Sequence, residues 1–229
     1  MDVTVGWCSE FEPSWRVRRL FYASRPPALF HYHLGCALTG SGHALAGRAI
    51  LDEDLGLGGL SPGASAAVAS CDIAYVSSHG RMDGNSTYHL RLRRGEWAPT
   101  STAHSGGPCV LVLDTCDVVK AGVDPKSSAW LRHGQPTPSI VLGFVGAATD
   151  GYSASLRGRA FAQHLAAGET FAESWFNAIR DTQPARRRDR AIAIAFGTTE
   201  ALACATLDSA SLTSLPARTV ADACSWRQR

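Results

Sequence analysis

Three stretches of the chain are apolar at consecutive positions, and turn residues bound each of them. "DIAYVSS" (72–78), "CVLVLD" (109–114) and "SIVLGFV" (139–145) have the pattern of strands buried on both faces inside a parallel sheet. "DVTVGW" (2–7) and "RAIAIAFG" (190–197) supply a fourth and a fifth strand. "TYHLRLRRGEW" (87–97) alternates instead, with Tyr88, Leu90 and Leu92 on one side, and reads as a half-exposed strand or hairpin arm. Further on the period changes to that of a helix. "SLRGRAFAQHLAAG" ends at Gly168, a good C-terminal cap, and "ETFAESWFNAIRD" sets Phe171, Trp175 and Ile179 four apart on one stripe. Strands alternating with helices predict a doubly wound α/β sandwich. No repeat or low-complexity linker divides the chain, so a single domain over 1–229 is expected, with 56–63 and 101–108 its most loop-like stretches.

Composition narrows the function. A chain of 229 residues with 45% hydrophobic content supports a substantial core. Its 22 basic and 20 acidic residues leave a net charge of +2, which suggests neither a nucleic-acid nor a membrane surface. The one basic run, Arg186 to Arg188 with Arg190, reads as a solvated face. The longest uncharged apolar stretches fall well short of the roughly 18 residues that cross a bilayer, and the N-terminal residues lack a basic region followed by an apolar run. A cytoplasmic protein is expected. Seven cysteines, an odd number without C-x-x-C spacing, argue against a disulfide framework and a zinc ribbon.

Ligand sites in open parallel sheets form beyond the carboxyl ends of the strands. The residues there are "SSHGRMDG", "DTCDVVKAG" and "GAATDGYS". His79 therefore leaves the first interior strand and Cys116 the second, in two strands expected to be neighbours. A thiol attacks acyl groups as thiolate, and a nearby imidazole can hold the proton and pass it to a leaving amine. Gly80, without a side chain, lets its N–H approach a ligand, and with the N–H of Cys116 it can form an oxyanion hole.

On these residues the chain resembles a known superfamily. "AYVSSHG" followed by "VLVLDTC" is similar to the His-Gly and Cys motifs of the caspase, gingipain and legumain cysteine peptidases, clan CD. "IVLGFVGAA" and "GRAFAQHLAAGETFAESWFNAI" extend the likeness across roughly residues 70 to 180, most closely to largely uncharacterised bacterial domains related to that clan. The resemblance implies a caspase-like three-layer sandwich with a mostly parallel central sheet and helices on both faces. It also implies His79 as general acid/base, Cys116 as nucleophile, and Gly80 and Cys116 as oxyanion donors. The sequence departs from the clan where Asp117 and Val118 follow the cysteine in place of an early glycine, and where Thr115 replaces a common alanine.

Two function classes follow. One is a cysteine-dependent acyl-transfer enzyme, most simply a peptidase, with ligases, cyclases and acyltransferases sharing the thioester intermediate. The other is a non-catalytic caspase-like module that binds a peptide or protein. The carboxylates at the strand ends, Asp83, Asp114, Asp117 and Asp150, are candidate substrate contacts. Asp114 and Asp117 would raise the thiol pKa if both pointed at it. Asp83 and Asn85 equally fit a turn. In the resembled peptidases the segment after the third interior strand helps to build the pocket before the cleaved bond. Asp150 either ends that pocket, favouring Lys or Arg, or begins the turn "DGYS". No cofactor is expected: P-loop and G-x-S-x-G motifs are absent, and "GSGHALAG" (40–47) spaces its third glycine too late for a dinucleotide loop. His31 and His33 would share one face of a strand, but no third metal ligand is near.

Overall fold

The three apolar stretches form adjacent strands. The computed structural model describes residues 3–7, 25–39, 49–50, 71–83, 88–91, 97–99, 109–127, 135–148, 153–183, 190–217 and 219–228. Its main sheet has seven strands: β1 (Val3–Trp7), β2 (Ala49–Ile50), β3 (Ile73–Ser77), β7 (Val110–Asp114), β9 (Ile140–Phe144), β10 (Ala191–Gly197) and β12 (Ala223–Gln228). They lie in the order β12-β10-β9-β7-β3-β1-β2. From β2 to β9 every pairing is parallel, while β10 runs antiparallel to both β9 and β12. The sheet is therefore mixed and the architecture α/β. All five strands read from sequence are present, and β3, β7, β9 and β10 are buried along their whole length.

A separate three-stranded meander consists of β4 (Gly80–Met82), β5 (Tyr88–Arg91) and β6 (Trp97–Pro99), and the alternating stretch at 87–97 supplies its middle strand, β5. A third, two-stranded sheet pairs β8 (Gln135–Thr137) with β11 (Thr219–Ala221).

Four helices complete the described residues: α1 (Arg25–Thr39), α2 (Arg157–Ala166), α3 (Phe171–Thr182) and α4 (Glu200–Ser209). In α1, two prolines fit the first turn, where their missing N–H groups cost no helical bond. Among its described side chains, Phe30 and Leu34, four apart, are the large buried ones. The expectation that His31 and His33 share a strand face is corrected here, because residues two apart on a helix point to different sides. Helix α3 starts at Thr170, whose hydroxyl oxygen accepts from the Glu173 N–H at 3.2 Å while the hydroxyl donates to the Glu173 carboxylate at 3.1 Å. This is a variant of the reciprocal Thr-x-x-Glu cap.

One face of the sheet packs against helices. Ile73, Tyr75, Val110, Val112, Leu142 and Phe144 meet Phe30 and Leu34 of α1, Phe161 and Leu165 of α2, Trp175 of α3 and Leu207 of α4. Trp175 sits fully buried among Tyr75, Phe144 and Phe161, and its indole N–H donates to the Gly143 carbonyl at 3.0 Å. The opposite face, with Ala74, Val76, Leu111, Leu113, Val141 and Ile194, is covered by Tyr88 of β5, Val118 and Val119 after β7, and Ala221. Helices on both faces were expected. Among the described residues, the helices' buried side chains join the first face, while a tyrosine and a chain reversal cover the second. Among these residues no helix is long and apolar enough to cross a membrane.

The α2–α3 corner carries an ionic clasp. His164, in the last turn of α2, has Nδ1 at 2.8 Å from Glu169 and Nε2 at 2.8 Å from Asp181 of α3. With a carboxylate on each ring nitrogen, the imidazolium satisfies both at once. Partial burial disfavours the charge, but the hydrogen bonds and charges of Asp181 and Glu169 outweigh it and raise the His164 pKa above 6.5. A raised folded-state pKa makes this contribution complete below about pH 6.5 and removes it as pH climbs through the folded value. The group is partly exposed, so the effect is on the order of 1 kcal/mol or less. Urea denaturation from pH 6 to pH 9 should show wild type exceeding His164→Gln at the acid end, with the gap closing as pH rises.

Candidate active site

β3 and β7 are hydrogen-bonded neighbours in a register that sets Ser77 opposite Asp114. Two residues beyond that shared rung stand His79 on one chain and Cys116 on the other, both half-buried. The two strand ends also touch. Any Cβ at Gly80 would fall within van der Waals contact of the Tyr88 hydroxyl and the Cys116 carbonyl oxygen. Glycine is required at 80 by this crowding, whatever approaches the site from outside. Tyr88, fully buried, hydrogen-bonds Thr115 through its hydroxyl and also donates to the Cys116 carbonyl at 3.3 Å. Burial, above all, pushes the Tyr88 phenol well above its ordinary range, which keeps it a neutral donor. Thr115, the departure from the clan's alanine, is thus the partner of a tyrosine that reaches across from the meander.

The other departure has an equally local cause. Asp117 adopts a left-handed backbone (φ 52°), which turns the chain sharply after Cys116. Aspartate is one of the few non-glycine residues that tolerates this region. The turned chain then runs beside the end of β9. The Asp117 N–H donates to the Gly146 carbonyl at 2.7 Å, Val119 N–H to Phe144 at 3.2 Å, and Gly146 N–H to Val119 at 3.0 Å. Val118, fully buried, packs against the bare face of Gly143. The third strand end reaches the sulfur itself: the Ala148 N–H donates to Cys116 Sγ at 3.3 Å.

The strand-end carboxylates divide. Asp114 is sealed from solvent, with its side chain 1% exposed. Arg157, first residue of α2, holds it at both oxygens (2.8 and 3.2 Å), and Tyr75 donates to it at 3.1 Å. Its expected role as a substrate contact gives way to that of a buried counter-ion facing the helices. Asp83 faces His89 of β5 at 3.0 Å, which ties off the β4–β5 hairpin and fits the turn alternative. Among the described strand-end carboxylates, Asp117 is the one that directly follows Cys116 in the chain. Partial burial raises its carboxyl pKa, with Lys120 acting in the opposite direction. Asn85 and Asp150 lie outside the described residues, as do "GSGHALAG", the 56–63 and 101–108 loops and Arg186 to Arg188. Among the described residues no three His, Cys, Asp or Glu side chains gather as metal ligands would.

Tyr88 and Arg157 were not singled out from sequence, and Ala148 reads there only as one of the small residues, with Gly146 and Ala147, that leave space after the third interior strand. Tyr88 reads as one apolar member of an alternating strand, and Arg157 as a charge at a helix start, where the dipole makes a cation unfavourable. That misplaced charge was the available signal. Ala148 acts through its main chain and leaves none.

The chain belongs to the DUF6345 family, a domain of unknown function whose model matches residues 52–206. No curated protein matches it.

Three variants test this arrangement. Asp114→Asn strips the negative charge from a buried guanidinium and should destabilise the fold by about 3–5 kcal/mol in denaturant titration. The double variant Asp114→Leu with Arg157→Met should recover most of that loss. Gly80→Ala should misplace the Cys116 turn, so that thiol labelling at Cys116 changes while far-ultraviolet circular dichroism stays native.

Proposed function

We propose that this protein is a cysteine-dependent acyl-transfer enzyme, most simply a peptidase, with Cys116 as nucleophile and His79 as general acid/base. The caspase-like sandwich belongs to the same reading, as does a reducing, cytoplasmic setting. The six described cysteines, all free thiols, suit such a compartment. One observation carries the proposal: two parallel neighbouring strands, matched rung for rung, end in His79-Gly80 and in Cys116, and the two ends are in contact. Packing requires Gly80, but it does not require a histidine before it or a thiol opposite.

The chemistry follows from the groups present. The Cys116 thiolate adds to the carbonyl carbon of a peptide bond, and the N–H groups of Gly80 and Cys116 receive the charge that develops on oxygen. Collapse breaks the C–N bond, the imidazolium of His79 protonates the departing amine, and a thioester remains on Sγ. His79 then takes a proton from water, or from a second amine, as that nucleophile attacks the thioester. Hydrolysis releases an acid and transfer releases a new amide; in both cases the thiolate returns.

The full-length protein incubated with a mixed peptide library should form acyl adducts on Cys116, detected by mass spectrometry, and release cleaved or transferred products. Folded Cys116→Ala should give none, and His79→Ala should lose nearly as much, since members of one catalytic unit fail together. Undiminished turnover by a folded Cys116→Ala protein would refute the assignment. Peptide binding with no adduct and no cleavage by the wild type would make the domain a recognition module.

A further inference from the structure

The contact between Ala148 and the sulfur has no part in that scheme, yet it is built with care. Strand β9 ends at Phe144, and the chain continues through Val145 in a parallel bridge with Val119. At Gly146 it enters the left-handed region (φ 77°), where a side chain would be strained, and there it turns toward the Cys116 loop. Gly146 is fixed in this turn from both sides: its N–H donates to Val119 and its carbonyl accepts from Asp117. Two residues on, the amide of Ala148 meets Sγ at 3.3 Å. The donor thus sits two residues beyond a glycine whose N–H and carbonyl are both bonded to the 117–119 segment that follows β7. An N–H bond to a neutral thiol is weak. The same bond to a thiolate is charge-assisted and about twice as strong.

We propose that the Ala148 main-chain amide is a catalytic donor to Cys116, holding the sulfur as thiolate in the resting protein and releasing it as the new bond to the acyl carbon forms. This inference rests on Cys116 being the nucleophile. It adds that the third interior strand supplies the donor, so that His79 is not the sole group favouring the charged sulfur. Among the described residues, the other titratable groups about this site are His79 at the end of β3, Tyr88 of β5, Asp117, and Lys120 beside Asp117. Asp117 disfavours a second negative charge next to it, and a fixed neutral donor offsets that without adding a charge of its own. Residue 148 acts here through its main chain, so any amino acid other than proline satisfies the role.

The test reads the thiolate directly in the full-length chain. Iodoacetamide labelling of Cys116 is followed by peptide mapping from pH 5 to pH 10 for four proteins. These are wild type, Ala148→Gly, Ala148→Pro, and a protein carrying lactic acid at 148, whose ester linkage removes the N–H and keeps the shape. Wild type and Ala148→Gly should share one inflection, below that of the exposed Cys204. The ester protein should titrate about one pH unit higher and label about tenfold more slowly at neutral pH. Ala148→Pro should follow it if folded, and the ester decides the matter if it is not. An unchanged inflection in the ester protein overturns the amide's role while leaving Cys116 as nucleophile. A wild-type inflection no lower than that of Cys204 also overturns it. A raised inflection together with no acyl adduct from any peptide leaves the amide as a donor to the sulfur but overturns its catalytic role along with the acyl-transfer reading.

Discussion

The ion pair between Asp114 and Arg157 joins the sheet to its helical layer at the point where β7 gives way to the Cys116 turn. Both groups are almost wholly withdrawn from water, so each charge is tolerable only because the other is there. The guanidinium also lies 4.9 Å over the Phe144 ring, and the carboxylate accepts from Tyr75. One pair therefore ties together β3, β7, β9 and the first turn of α2. Two methyl-bearing side chains of similar volume would fill the space, but they would not set the depth of α2 against the strand end. Directional bonds from a rigid fork do.

A second set of contacts works on the opposite side of the same strand end. Tyr88 comes from the meander to meet Thr115 and the Cys116 carbonyl, Gly80 yields the room for it, and Val118 and Val119 fold back over the second face. The turn at Cys116 is thus gripped from the helical side through Asp114 and from the other side through Thr115. Just past these grips the left-handed Asp117 costs backbone energy that the three main-chain bonds to Phe144 and Gly146, at and beyond the end of β9, offset. A thiol on a turn so constrained has a defined position relative to its neighbours, which is what a reacting group needs.

The strands were legible because burial on both faces writes itself into consecutive apolar residues. The helices α2 and α3 were legible for a similar reason, since their stripes are rich in Phe, Trp and Leu. Helix α1 was not, because two histidines stand between Phe30 and Leu34, and their spacing of two reads as one face of a strand. Helix α4 buries Ala203 and Leu207, too little for a period to stand out. The reversal of β10 left no trace either: "AIAIAFG" is equally apolar whichever way the strand runs, since direction changes the hydrogen-bond pattern and not the environment of the side chains.

At the site, the sequence by itself determined that a histidine-glycine pair and a cysteine leave two interior strands, because the strand pattern locates the carboxyl edge and the chemistry of the residues there can be read off. Only the tertiary structure decided what each surrounding group does. Asp114, Asp117 and Asp83 look alike in sequence, yet one is a buried counter-ion, one turns the chain beside the thiol and one closes a hairpin. A carboxylate's role is set by which donors reach it, and those donors lie far along the chain, 43 residues away for Arg157. The amide at Ala148 lies further still from anything a sequence can show. Every residue but proline has an N–H, and only the fold determines which one points at sulfur.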